Sequence, residues 1–307
     1  MSLTFSVRFN NDVSPAEYVR LAALAEECGF DQIWVSNDLF FHSAAVLVTA
    51  AARATSRIKL GVGVFNPVSM HSSEIAMVAA SLHELSEGRA LLGIGAGADR
   101  FLGWAGIPFD PPVPRTERAI KEVRALLAGD APWAPEGRMR IDVTPIPIYV
   151  GAMGPRMLRM AGRVADGALP LLFPPSHYRV AAAQIAEGAV AAGRHLKDVD
   201  VAACIWCSIS KDAERARQAL ADKIEYYGPS FSEDLLARAN LKPSDFEAGP
   251  ITPEMLSLGV AGGPEHVVVA CYRLAADGAR HISFGPPLGP DPHEAMRVLA
   301  HDVLPLL

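Results

Sequence analysis

Short apolar runs alternate with amphipathic stretches along most of the chain. The runs are rich in Val, Ile and Leu and end at turn residues, which is typical of buried strands, whereas the stretches between them carry apolar residues at helical spacing. The predicted strands span 3–8, 30–36, 58–67, 90–94, 146–150, 167–172, 200–210 and 281–284. The predicted helices span 15–28, 43–55, 72–85, 115–127, 156–164, 176–193, 212–226, a stretch from 264 onward, and 292–304.

This alternation predicts an α/β fold with a parallel sheet covered by helices. Eight strand and helix units favour closure into a (β/α)8 TIM barrel over an open doubly wound sheet. We therefore predict a single barrel domain with insertions over 1–307. Residues 228–263 mix short helical pieces with Pro and Gly and are predicted to be an insertion between strands seven and eight. Residues 128–145 are predicted to form turns or a short hairpin.

The composition indicates a soluble protein and argues against several classes of binding partner. The 307 residues are 50% hydrophobic and 20% charged with a formal net charge of −6, so the chain can bury a large core. No basic run is present, which argues against nucleic-acid partners. The apolar stretches are too short to span a bilayer, and the N-terminus lacks the pattern of a secretion signal. We predict a cytoplasmic protein without a membrane partner.

The ends of the predicted strands carry glycines rather than metal or nucleophile motifs. H-x-H, H-E-x-x-H and G-x-S-x-G are absent, so no metal site or serine mechanism is predicted. Cys204 and Cys207 form a C-x-x-C inside a strand, where residues three apart point to opposite faces, which favours a structural role. Gly93, Gly95 and Gly97 do not meet the G-x-G-x-x-G spacing of a dinucleotide site.

The third predicted strand contains two glycines where a buried strand would pack better without them. Gly61 and Gly63 interrupt its apolar run, and Asn66 followed by Pro67 ends it. A glycine inside a strand marks a bulge or a close approach to the backbone, or it is a small residue tolerated where a neighbour crowds the sheet. The strand by itself leaves both interpretations open, and we favour packing for Gly61.

The fifth predicted strand ends in a turn that could bind an anion. Pro155 is predicted to open the following helix, which leaves the backbone amides of Met153, Gly154 and Arg156 near its positive end. That arrangement suits a phosphodiester. An ordinary turn from strand to helix is the alternative, since Pro is common at this position.

Four motifs together resemble a known family. They are Gly-Val-Gly-Val-Phe-Asn-Pro, Trp-Val-Ser-Asn-Asp, Gly-Ile-Gly-Ala-Gly and Tyr-Val-Gly-Ala-Met-Gly-Pro, on predicted strands three, two, four and five. With them the chain resembles the bacterial-luciferase-like superfamily, and within it the branch that uses the deazaflavin coenzyme F420 and includes methylene-tetrahydromethanopterin reductase. The resemblance covers most of the chain and is weakest over 228–263. It implies a luciferase-like TIM barrel, F420 as the cofactor and a homodimer.

The resemblance also implies where the cofactor lies. It places a non-prolyl cis peptide at Gly63–Val64 behind the deazaflavin ring, with Asp38 at the ring's rim. If Asp38 is partly buried beside the ring, desolvation would raise its pKa and suit it to general acid or base catalysis, whereas capping the next helix is the alternative. The cofactor-binding residues that the resemblance implies are Asn37, Gly63, Val64, Asn66, Gly95, Gly97, Gly151, Ala152, Met153 and Gly154.

Two positions depart from the reductases of this branch. Arg8 stands where they carry a Glu at the end of the first strand, and Gly103 lies near the place of a further acidic residue. The resemblance therefore implies the fold and the cofactor more directly than the substrate. Arg8 is predicted to bind an anionic substrate through two hydrogen bonds or to neutralise a phosphate. Asp38 and Arg8 are the predicted catalytic residues.

The predicted function is an oxidoreductase that transfers a hydride between F420 and a small organic substrate whose identity stays open. One alternative is a luciferase-like monooxygenase that uses FMN and molecular oxygen. A second alternative is a non-catalytic barrel that stores or presents a flavin or deazaflavin, because the usual His and Glu are missing. In the predicted oxidoreductase the cofactor carries the chemistry, and the protein binds, orients and shields it.

Overall fold

The computed structural model describes residues 3–97, 99–108, 110–142, 144–247 and 249–307. Eight parallel strands close into a barrel interleaved with helices, which confirms the predicted fold class. The strands are β1 (Thr4–Phe9), β2 (Gln32–Val35), β3 (Lys59–Phe65), β4 (Ala90–Ile94), β5 (Ile148–Ala152), β6 (Gly167–Pro170), β7 (Asp200–Ile209), β8 (Val260–Gly262) and β9 (His281–Leu288).

Neighbouring strands follow chain order from β1 to β6, and β7 and β9 then complete the ring back to β1. The short strand β8 is additional and pairs with β7 over Cys207–Ile209. It lies inside the segment predicted as an irregular insertion, so the eighth barrel strand is β9, the ninth strand along the chain. A strand of three residues beside glycines is too short to show the alternation of apolar and polar residues by which a strand is predicted from sequence.

The helices are α1 (Pro15–Glu27), α2 (Ala44–Ala54), α3 (Ser72–Leu85), α4 (Asp99–Trp104), α5 (Pro112–Leu127), α6 (Pro155–Val164), α7 (Tyr178–Ala191), α8 (Ala213–Tyr227), α9 (Glu233–Ala237), α10 (Pro253–Leu256), α11 (Pro264–Ala276) and α12 (Pro292–Val298). Helix α4 has six residues and was not predicted. In the described part of 128–145 the chain forms turns and bends without a hairpin. No helix of the described ranges is long and apolar enough to cross a membrane.

Two apolar layers hold the barrel. Residues such as Val7 and Ile33 pack between strands and helices, while Trp34, Leu91 and Leu169 fill the inside. Cys204 belongs to the inner layer and Cys207 to the outer one, and both thiols are free, as predicted.

One glycine of β3 is explained by this packing. A Cβ atom on Gly61 would lie only 2.2 Å from the Trp34 ring, so the tryptophan fits only against a glycine. Of the two interpretations predicted for Gly61, close packing is therefore the correct one.

Polar side chains close the inside of the barrel at the N-terminal ends of the strands. The Tyr149 hydroxyl donates to Asp200 Oδ2 at 2.7 Å, and His281 Nδ1 lies 2.9 Å from the same oxygen. His281 Nε2 in turn lies 2.8 Å from Ser6 Oγ. Burial would raise the pKa of Asp200, but the bonds from His281 and Tyr149 outweigh it and lower the pKa. We call Ser6, Tyr149, Asp200 and His281 the floor.

Candidate active site

The C-terminal ends of the strands form the opposite end of the barrel, which we call the mouth. Arg8 near the end of β1, Asp38 after β2, Val64 in β3 and Gly151 in β5 all lie there. Active sites of such barrels are built at this end, because the loops that follow the strands converge on it. The structure thus brings the predicted site residues to one end of the barrel.

The peptide between Gly63 and Val64 is cis, as expected from the resemblance. It lies where the pairing of β3 with β4 shifts register, between Val62 and Phe65. The role of this peptide as a support for the cofactor ring stays a prediction.

Three glycines surround the Val64 side chain. Cβ atoms built on Gly93, Gly95 and Gly151 would lie 3.1, 2.9 and 3.0 Å from its methyl groups. The side chain therefore points toward β4 and β5, and larger residues at these positions would displace it. At Gly93 the Val62 carbonyl excludes a side chain more strictly still, because it would lie 2.3 Å from a Cβ atom. The predicted cofactor contacts of Gly95 and Gly151 stay predictions.

Asn66 is buried and ties two loops of the mouth together. Its Nδ2 donates to the carbonyl of Ala96, and its Oδ1 accepts from the N–H of Val68 at 2.9 Å. Gly97 follows in the left-handed region with φ at 66°, which glycine adopts without strain. Both residues shape the loops after β3 and β4, and their direct cofactor contacts stay predictions.

Asp38 and Asn37 have different partners. Asn37 Oδ1 accepts from the first N–H of α2, at Ala44, with a distance of 3.2 Å. Asn37, rather than Asp38, therefore occupies the helix-capping role. The Asp38 carboxylate accepts from Ser36 Oγ at 3.2 Å, and burial raises the pKa of Asp38 although this bond opposes the shift. The raised pKa is the condition under which Asp38 was predicted to exchange protons.

Arg8 lies across the inner wall of the barrel. Its Nε donates to Ser283 Oγ at 3.1 Å and its Nη2 donates to the Ile205 carbonyl at 2.8 Å. A Cβ atom on Gly285 would lie 2.2 Å from Nη2, so the guanidinium needs a glycine beneath it. Burial lowers the pKa of Arg8.

Helix α6 begins at Pro155, with Gly154 as its N-cap, as predicted. Nothing lies within 4 Å of a Cβ atom built on Gly154, so the space in front of the helix is open to a ligand. Ala152 is buried, whereas Met153 is partly exposed and its carbonyl accepts from Arg238 Nη2 at 3.3 Å. The open helix start suits the phosphate of a cofactor.

Sequence reasoning missed Lys223 and two aromatic rings beside it. Lys223 Nζ lies 5.3 Å from the centre of the Trp206 ring and 4.6 Å from that of Tyr227. Burial lowers the pKa of Lys223 to about 8, with Asp12 and Asp38 opposing the shift and Arg8 adding to it. Lys223 follows Leu220, a buried residue of α8, at helical spacing, and a cation at that spacing is the signal that could have found it.

Comparison with known proteins adds to this geometry. Residues 3–280 match the model of the family described as luciferase-like monooxygenase. The chain belongs to this family. Within the described ranges of this luciferase-like protein, no three His, Cys, Asp or Glu side chains are grouped as a metal site would require.

Individual relatives match this luciferase-like chain over two thirds to nearly all of its length. It is 32% identical over 325 residues to the 5,10-methylenetetrahydromethanopterin reductase of Methanolobus tindarius, covering 98% of this chain and 100% of that one. It is also similar to the solved coenzyme F420 dependent tetrahydromethanopterin reductase of Methanopyrus kandleri, with a TM-score of 0.91, 28% identity and 99% of each chain covered. An F420-dependent glucose-6-phosphate dehydrogenase of Beutenbergia cavernae is 33% identical over 66% of this chain and 67% of its own. The protein is therefore a luciferase-like oxidoreductase that resembles the reductases.

Proposed function

We propose that this protein is an F420-dependent oxidoreductase that transfers a hydride between the deazaflavin and a small organic substrate. The observation that carries the proposal is the similarity over 98% of the chain to a methylenetetrahydromethanopterin reductase. The cis peptide at Gly63–Val64 and the open space before α6 support it from the geometry of the site. The replacement of a Glu by Arg8 leaves the substrate open.

The residues of the mouth fit a deazaflavin. The Gly63–Val64 peptide offers the ring a flat surface next to half-buried Val64, and the N–H groups at the start of α6 offer its phosphate an anion site. Asn37 and Asp38 provide polar groups at the rim. When bound, the deazaflavin supplies the hydride-transferring carbon C5.

The other steps belong to the protein. Burial raises the pKa of Asp38, which favours its protonated form and suits it to exchange a proton with the substrate. Arg8 is fixed on the inner wall and binds the substrate through those of its N–H groups that do not donate to Ser283 or Ile205. Trp206 and Tyr227 lie against the Lys223 ammonium group and keep water from it, which strengthens its contacts with an anion.

Cofactor titration tests the proposal. We expect F420 to bind and its fluorescence to change on binding, with weaker or no binding of FMN. Replacing Gly154 by Val puts a branched side chain into the open space before α6, where a Cβ atom has no protein neighbour within 4 Å. Loss of one charge-assisted anion contact is worth about 1.5 to 3 kcal/mol, so the variant should bind F420 about 10- to 100-fold more weakly. Ala191→Val, at the exposed end of α7 on the floor side, is the matched control.

The alternatives make distinct predictions in related experiments. Tight binding of FMN without binding of F420 would contradict the proposal and favour the monooxygenase, which the description of the family also suggests. Stopped-flow mixing of reduced F420 with imines and aldehydes, and of oxidised F420 with alcohols, tests for turnover. Binding of F420 without any oxidation or reduction across this panel would favour a storage barrel.

The resemblance to the family also leads us to propose a homodimer in solution. Light scattering behind a sizing column measures the mass directly, and the monomer has a mass of 32.7 kDa. A particle of that mass at micromolar concentration would contradict the proposal.

A further inference from the structure

Two cations share the mouth without a carboxylate partner. The donors of Arg8 that make bonds reach neutral oxygens, those of Ser283 and Ile205, and Lys223 contacts the faces of two aromatic rings. Neither cation forms an ion pair within the described part of the chain. A charge that is shielded from water and has no ion-pair partner lowers stability. Two such cations in one cleft therefore indicate a binding site for an anion.

The two acids of the region do not neutralise these cations. Asp12 is exposed to water, which screens its charge, and it makes no ion pair with Lys223 among the described residues. Asp38 is half-buried and accepts from Ser36 rather than from either cation. Burial disfavours its charged form by raising its pKa. Among the described residues, Arg8 and Lys223 therefore have no direct contact with a carboxylate.

The order of the strands separates these cations from the predicted cofactor contacts. In the ring of eight, β7 with Trp206 lies four strands from β3 with the cis peptide. Strand β1 with Arg8 is likewise four strands from β5, which leads to the start of α6 at Gly154. A ring on β3 with its phosphate at α6 leaves the side of β1 and β7 open to the substrate.

Arg8 is held rigidly on that side. Ser283, which accepts from its Nε, also accepts from Ser6 at 2.8 Å, and Ser6 contacts His281 of the floor. His281 ends the chain of contacts at Asp200. A guanidinium fixed in this way loses little freedom when it binds an anion, which raises the affinity.

We propose that Arg8 and Lys223 together bind an anionic group of the substrate, a carboxylate or a phosphate, with the partly exposed Tyr227 covering the apolar part next to it. That the anion belongs to a substrate rests on the proposed function, whereas the presence of an anion subsite does not. Guanidinium and ammonium groups are the usual partners of these anions, and aromatic faces bind the adjoining apolar atoms.

Benzoate and phenyl phosphate serve as probes, because each joins an anion to an aromatic ring. Calorimetric titration into the full-length protein saturated with F420 should show saturable binding of at least one probe. Lys223→Met and Arg8→Met should each weaken that binding about 10- to 100-fold, since each removes one charged hydrogen bond. Lys223→Arg should restore most of it. Lys197→Met, at an exposed position on the floor side, should change it less than twofold.

Three outcomes would overturn the inference. They are the absence of saturable binding of both probes, affinities that neither Met substitution changes, and an equal loss in the Lys197 control. Thermal unfolding of each variant identifies those that fail to fold. If Arg8→Met does not fold, Lys223→Met still tests the inference, because Lys223 is not one of the buried residues of α8.

Titration of F420 into the same variants separates the possible sources of the anion. We expect its affinity to change less than threefold in both Met variants. A tenfold loss of F420 affinity with unchanged probe binding would assign the anion to the cofactor and refute the substrate subsite. Probe binding that depends on Lys223 in a protein that fails to bind F420 would refute the proposed function and leave the anion subsite standing.

Discussion

Polar side chains at the two ends of the barrel interior differ in how completely they are hydrogen-bonded or ion-paired. At the floor, Asp200 accepts from Tyr149 and pairs with His281, whose second nitrogen contacts Ser6. At the mouth, Lys223 contacts two aromatic faces and forms no ion pair among the described residues, and Asp38 accepts from one hydroxyl. The floor is a network whose members satisfy each other, whereas the mouth leaves charged donors available.

This difference separates stability from function. A saturated buried network stabilises the fold, because removal of any member leaves the others unpaired. Unsaturated groups at the opposite end lower stability and are the places where a ligand gains free energy. The same division between the two faces is general to parallel βα barrels, where conserved chemistry lies at the C-terminal face.

Loss of Asp200 gives the largest expected effect. Asp200→Ala removes the acceptor of the Tyr149 hydroxyl and the partner of fully buried His281. Each of the two unsatisfied groups costs about 1 to 3 kcal/mol. Because Asp200 is partly exposed, water replaces part of what is lost, so we expect urea unfolding to show a loss of about 2 to 4 kcal/mol, with F420 affinity of the folded protein unchanged. Asp222→Ala, an exposed position on α8, is the control. A loss below about 0.5 kcal/mol would remove the distinction between floor and mouth.

A smaller effect is expected at Glu26, which also lies on the floor side. Burial would raise its pKa, but bonds from the N–H groups of Ser56, Arg57 and Ile58 hold the pKa at about 2 against an ordinary 4.5. Its contribution to stability is therefore complete above the ordinary value and is lost as the pH falls toward 2. We expect Glu26→Gln to unfold more easily than wild type at pH 7, with the two converging in acid.

Urea midpoints at several pH values between 7 and 2.5 measure this convergence. Glu27→Gln is the matched control, because Glu27 is the exposed neighbour of Glu26 and makes none of these backbone bonds in the described structure. A gap between wild type and Glu26→Gln that persists unchanged to low pH would show that the ionised carboxylate is not its cause.

The smallest expected effect on stability is at the mouth. Replacing Lys223 by Met should change the free energy of unfolding at pH 7 by less than about 1 kcal/mol or increase it, because an apolar side chain replaces an unpaired cation. The pKa of Lys223 is about 8 in the fold against an ordinary 10.5. Between these values the unfolded chain binds more protons, so the stability of wild type relative to Lys223→Met should rise with pH.

Urea midpoints at pH 7 and pH 10 measure this rise, with Lys197→Met as the control whose gap to wild type should stay constant. A strong destabilisation by Lys223→Met at pH 7 would place Lys223 with the floor, as a structural residue. That result would contradict the distinction between a stabilising floor and a ligand-binding mouth.

Much of the fold was predictable because burial leaves a local period in the sequence. Helix α3 and strand β4 have the predicted bounds at both ends. Strand β5 begins two residues later than predicted, at Ile148, because Pro147 has no N–H to join the ladder. Strand β8 was missed, since its three residues become a strand only by pairing with β7.

The candidate site was predictable only in part. Its backbone features, the cis peptide at Gly63–Val64 and the helix start at Pro155, follow from motifs that are contiguous in the sequence. Asp38 was found in the same way, at the end of a strand. Lys223 was not, because its helical spacing from buried Leu220 indicates the side of α8 on which it lies but not that this side faces the mouth.

The sequence by itself determined the barrel, the family and the local turns that carry the cofactor motifs, because each depends on residues near one another in the chain. Only the tertiary structure decided which side chains meet inside. His281 meets Asp200 across 81 residues and Ser6 across 275. Lys223 comes near Arg8 because the ring of strands closes between β9 and β1. Such meetings depend on closure and register, which no local pattern of hydrophobic and polar residues records.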